Sequence, residues 1–163
     1  MRRLTLFPVA MLGLLLTAAP AAADSTYQTE RLALRPVAGT GETGTGMVVN
    51  AHPNGPRIYA HEQYLLAGAK SNESYLVYLL LTPYDEATFT ADCEALQDMP
   101  GGTGLPTSII KTNSAGNGSA NYIFSFDFVN GAGLRGLTFT AAWRVDLAGS
   151  PAYRTGCTVI ALD

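Results

Sequence analysis

Residues 137–147 read LTFTAAWRVDL. Leu137, Phe139, Ala141, Trp143, Val145 and Leu147 share one parity, and Thr138, Thr140, Ala142, Arg144 and Asp146 share the other. Side chains along a strand point alternately to its two faces, so this pattern predicts a half-buried antiparallel β-strand. A helix would need an apolar stripe every three to four residues, and this stretch has none.

Upstream, Tyr122, Phe124, Phe126 and Phe128 fall on one parity, with Ser125 and Asp127 opposite them alongside Ile123. They predict a second strand. Pro106 to Thr112 (PTSIIKT) is another β-rich run, and NSAGNGS separates the two. A phosphate cradle would need a helix to follow, and a calcium loop would need repeated carboxylates. This segment has neither, whereas Asn117-Gly118 tolerates positive φ, so it is expected to turn the chain between adjacent antiparallel strands. Gln28 to Val37 places Leu32 and Leu34 on one face, and Gly46 to Asn50 and Arg57 to Leu66 are further β-compatible runs. Tyr75 to Thr82 is apolar on both parities and reads as a central strand, and Tyr153 to Leu162 reads as the last one. Asp85 to Met99 spaces Phe89, Cys93 and Leu96 by four and three, which fits a short helix or an irregular loop, ended by Pro100 and Gly101-Gly102. Strands recurring between Gly, Pro and Asn punctuation predict an all-β sandwich or barrel.

The N-terminus carries the address. Arg2-Arg3, the apolar run Leu4 to Leu16 and the small residues Ala21-Ala22-Ala23 predict a secretory signal peptide over 1–23, leaving a single domain over 24–163. The apolar run is short for a membrane anchor, and no later stretch is long and apolar enough to replace it. The protein is therefore expected to be secreted or periplasmic. The mature chain would hold eight basic and thirteen acidic residues, a net charge of −5 with no basic cluster, which argues against a nucleic-acid partner. Its two cysteines, Cys93 and Cys157, are expected to pair as a disulfide in an oxidising compartment. Two cysteines alone cannot complete a zinc shell.

The stretch Leu66 to Leu79 (LAGAKSNESYLVYL) resembles the corner of fibronectin type III domains, with Leu66, Asn72, Tyr75 and Val77 at the matching spacing. The resemblance implies that the Tyr75 hydroxyl bonds backbone a few residues upstream. Cys93, Trp143 and Cys157 follow the order found in immunoglobulin domains, but Trp143 stands far from the first cysteine and Thr155 stands where a tyrosine is usual. TNSAGNGSANYIF also looks like secreted bacterial sandwich domains of the chordin-repeat-like kind. Together these likenesses imply an antiparallel immunoglobulin-like β-sandwich of about 7–9 strands, and they transfer no functional residue.

Candidate chemistry is sparse. GTGETG at Gly39 to Gly44 matches a dinucleotide fingerprint but leads into the strand-like GMVVN instead of a helix, so it is expected to be a flexible connection, and no cofactor is implied. No GxSxG elbow is present. His52 and His61, with Glu62 beside the second, flank the turn HPNGP and would supply metal ligands or a general base if their strands pair and the imidazoles converge. Tyr59, Tyr64, Tyr78, Tyr84 and Tyr153 would make a carbohydrate or peptide platform if exposed, and core packing if not. The sequence thus points to a non-catalytic binding or structural module with a protein or cell-envelope partner. The alternative is a small metal-binding protein or metal-dependent enzyme built on His52 and His61.

Overall fold

The computed structural model describes residues 28–52 and 58–162. The expected signal peptide and residues 53–57 of the turn between the histidines lie outside them. Among the described residues there are nine strands: β1 (Gln28–Pro36), β2 (Thr45–His52), β3 (Ile58–Ala67), β4 (Ser74–Pro83), β5 (Leu105–Lys111), β6 (Gly118–Ser125), β7 (Leu137–Leu147), β8 (Ser150–Arg154) and β9 (Thr158–Leu162). Two helices interrupt them, α1 (Phe89–Gln97) and α2 (Phe126–Gly131). Every ladder is antiparallel, and the strands follow one path, β5-β4-β7-β8-β1-β2-β3-β6, with β9 beside β7. The path nearly closes into a barrel. Its two end strands, β5 and β6, touch across a seam where Ser108 Oγ donates to Asn121 O at 3.2 Å, but no ladder forms between them. The NSAGNGS segment turns the chain as expected: Asn113 Oδ1 accepts from the amides of Ala115 and Asn117. The strands it joins are neighbours across that seam instead of ladder partners.

The barrel interior is filled from both ends of the path. Leu34, Val48, Tyr64, Tyr75, Val77, Ile110, Trp143, Val145 and Tyr153 are all buried there. β7 runs over the expected residues, but it is buried on both faces instead of half-buried. Its inward parity packs Phe139, Ala141, Trp143 and Val145 into the core. Its outward parity is covered by α1 and the loop after it. Leu96 of α1 meets Tyr78 and Leu80 of β4 in a second small core. Beside that core the Arg144 guanidinium is hydrogen-bonded through each of its nitrogens. Nε donates to Asp146 Oδ1 at 2.7 Å, Nη1 to Met99 O at 2.9 Å and Nη2 to Thr103 O at 2.9 Å. Gly102 N donates to Asp146 Oδ2 at 2.8 Å, and the guanidinium lies over the Tyr78 ring. Burying two charges is costly, and it is tolerated only when hydrogen bonds fill the remaining valences, as here.

Three other expectations change. β6 ends at Ser125, so Phe126 and Phe128 do not continue its aromatic face: the Ser125 hydroxyl accepts from Phe128 N at 3.1 Å and caps α2. The last strand is two. Thr155 N donates to Trp143 O and Trp143 N donates to Thr155 Oγ1, and from there the chain leaves the β8 line before β9 begins. Cys157, at that break, pairs with Cys93 of α1, with Cα atoms 5.8 Å apart. The Gly39–Gly44 loop is no flexible connection. The Glu42 side chain, 2% exposed, accepts from the hydroxyls of Tyr75 and Tyr153 and pairs with Lys70 at 2.6 Å. Tyr75 in turn accepts from Lys70 N at 3.1 Å, the upstream backbone bond expected of a tyrosine corner. Burial and the Glu42 carboxylate push the Tyr75 hydroxyl up to about 12.

Arg144→Ala should cost about 3–5 kcal/mol in urea denaturation, because Asp146 is left buried and uncompensated. Reducing Cys93–Cys157, which closes a 64-residue span, should cost roughly 4 kcal/mol in the same assay with and without a thiol reductant.

Candidate functional site

A row of polar residues crosses the inside of the barrel at the end opposite Glu42. The β1–β2 register sets Glu30 against Asn50, the β2–β3 register sets Asn50 against Glu62, and the β3–β6 register sets Glu62 against Tyr122. Strand alternation then places His52, two residues past Asn50, on the same inward face. Asn50 and Glu62 are each 1% exposed. The Asn50 amide nitrogen lies 3.1 Å from His52 Nε2, and its carbonyl oxygen is buried without a hydrogen-bond partner. The His52 ring meets Tyr59 edge-on at 5.4 Å. Tyr59 reaches across the barrel mouth to donate to Ala161 O of β9 at 2.7 Å.

Asn50, His52 and Glu62 form one side of a cavity of about 30 Å³, space for one or two water molecules. The rest of its lining is apolar: Leu79 and Leu81 of β4, Leu105 of β5, Phe124 of β6 and Ile160 and Leu162 of β9, with Phe128 and Val129 of α2 and Leu134 beyond it. The mouth of the barrel is therefore a greasy pocket with one polar wall.

Glu62 is the unusual member. Burial pushes its carboxyl up to about 7, from an ordinary 4.5. The Tyr64 hydroxyl donates to it and opposes the shift, as does the nearby Trp143 indole. The indole N–H lacks good hydrogen-bond geometry, however, so Trp143 Nε1 is left without a full partner. Tyr64 also contacts Thr107 Oγ1 at 2.8 Å. Burial together with Glu62 raises the Tyr64 hydroxyl far above its usual range.

The expected histidine pair is not brought together. The strands pair across their turn, but Ala51 stands opposite His61, so His61 occupies the outer face while His52 lines the cavity. Glu62, the neighbour of His61, turns inward to His52 instead. Among the described residues no three His, Cys, Asp or Glu side chains cluster closely enough to hold a metal ion. Of the candidate platform tyrosines, Tyr64, Tyr78 and Tyr153 are buried, Tyr59 is half-buried and only Tyr84 is exposed. Asn50 was not singled out in the sequence. Its signal lay in parity, since NAH and HEQY place Asn50, His52 and Glu62 inward once their strands are in register. Compared with known proteins, the chain matches no protein-family model, no curated protein and no solved structure. Among the described residues no helix is long and apolar enough to cross a membrane.

The raised Glu62 carboxyl gives stability a sign with pH. The folded state holds this proton more tightly than the unfolded chain, so the stabilisation is full below about 4.5 and is lost as pH rises through about 7. The loss should be on the order of 3 kcal/mol. The groups facing the carboxyl are Tyr64, Trp143, Asn50, His52 and Tyr122. Glu62→Gln should flatten the fall between pH 5 and 8 in urea denaturation; an unchanged slope would locate the effect elsewhere.

Proposed function

We propose that this protein is an extracytoplasmic, non-catalytic binding module that holds a small ligand in the mouth of its barrel. The observation that carries the reading is the polar wall of the mouth cavity, where the Asn50 carbonyl oxygen is buried without a partner beside Glu62. An orphaned buried acceptor costs about 1–3 kcal/mol and calls for a donor. Binding is favoured over chemistry by the wall opposite. Glu62 and His52 line the cavity, but Leu79, Leu81, Leu105, Ile160 and Leu162 face them, and the Tyr59 hydroxyl at the mouth is already spent on Ala161 O. The Cys93–Cys157 disulfide supports an oxidising compartment, secreted or periplasmic. The Tyr75 corner and the two-sided core support kinship with immunoglobulin-like sandwiches. A metal reading would have to replace His61 with Glu62 and Asn50 around His52.

Native mass spectrometry of the mature protein, purified from its own source without chelators, separates these readings. The expected result is a small organic adduct that disappears in Asn50→Leu. A stoichiometric metal lost in His52→Ala would establish the alternative. A bare chain whose melting temperature no extract of its source raises would remove the small-ligand reading.

A further inference from the structure

We infer that the ligand of this pocket carries a primary ammonium head group on a short carbon chain. The inference rests on the small-ligand reading above and names its chemistry. Two buried acceptors belong to residues that line the cavity, the partnerless Asn50 carbonyl oxygen and the Glu62 carboxyl. Of the other polar groups in the lining, His52 is engaged by the Asn50 amide nitrogen and the Tyr59 ring, and the Tyr59 hydroxyl donates to Ala161 O. Among the described lining residues, the buried polar atom left with no partner is thus an acceptor, the Asn50 carbonyl oxygen. An ammonium brings three donors and the positive charge that makes an ionised carboxylate tolerable in an apolar surround. An alcohol brings one donor and no charge. A carboxylate would meet Glu62 with the same sign.

Size points the same way. A cavity of about 30 Å³ holds one or two waters, so it accommodates an ammonium and its first carbon but excludes a quaternary or guanidinium head. Around the head, Leu79, Leu81, Ile160 and Leu162 form an aliphatic wall that suits a carbon chain, and Phe128 and Val129 of α2 complete the lining. Admission of anything longer than the head must displace part of this lining.

The test uses n-butylamine, n-butanol and butyrate at about pH 8, where the amine is cationic, at matched ionic strength. Trp143, the single tryptophan and a neighbour of Glu62, reports by fluorescence, and melting temperature reports independently. Butylamine should bind at least about tenfold more tightly than butanol, and butyrate should not bind. Glu62→Gln keeps an acceptor for the Tyr64 hydroxyl and should stay folded, which its melting temperature verifies. It should lose about tenfold for butylamine and nothing for butanol. Equal binding of butanol and butylamine, or an unchanged butylamine affinity in Glu62→Gln, would overturn the ammonium assignment and leave the pocket standing. If none of the three binds, even to Phe124→Ala with its enlarged cavity, the small-ligand reading falls as well.

Discussion

β7 is the strand whose two faces both have to be buried. It pairs with β4 from Phe139 to Leu147 on one edge and with β9 and then β8 on the other, and from Phe139 onward both of its faces are covered. The inward face demands a barrel, because Phe139, Trp143 and Val145 need partners from the opposite strands. The outward face demands a lid, because Thr140, Ala142, Arg144 and Asp146 are all buried there. α1, the loop through Thr103 and the disulfide are answers to that second demand. The segment between β4 and β5 is therefore part of the core's design, and its carbonyls at Met99 and Thr103 are fixed by the guanidinium they receive.

The strands were legible because alternation is a local property. β7 was read to the residue and β1 to β5 nearly so, but β6 was carried too far and β8 and β9 were read as one strand. What the sequence could not display was anything decided by the second layer. Arg144 and Asp146 alternate like surface residues, and only α1 makes them interior. Phe126 and Phe128 keep the strand parity, yet the Ser125 hydroxyl captures an amide and starts a helix there. Thr155 looks like a strand residue, yet it bonds the Trp143 backbone and parts β8 from β9. In each case a single polar side chain overrides a periodic pattern. The candidate site was half legible for the same reason: His52 and Glu62 stood out by type, but which faces they share is a question of register between two strands.

The barrel treats two buried carboxylates in opposite ways. Glu42 has a lysine and two tyrosine hydroxyls around it, so its charge is fully provided for and it plugs one end. Glu62 has a tyrosine and an imperfectly placed indole, and its surroundings favour the neutral acid. A side chain that is solvated by design closes a structure; one left short of partners keeps an appetite for them. The asymmetry between the two ends is the clearest polarity in the molecule.

The disulfide also divides the chain topologically. Cys93 and Cys157 enclose β5, β6, α2, β7 and β8 in one covalent ring, while β1 to β4 lie outside it. Since β4 sits between β5 and β7, the ring is wedged apart by a strand that it does not contain. A protease that cuts once inside the ring releases nothing, because both halves stay tethered through sulfur. A cut between β3 and β4 severs the molecule into two pieces held only by side chains and ladders. The exposed turn at Asn113 to Asn117 is thus a harmless place to be nicked, and the Gly68 to Glu73 corner, fastened by the Tyr75 hydroxyl and by backbone bonds to that same turn, is the place where integrity is decided.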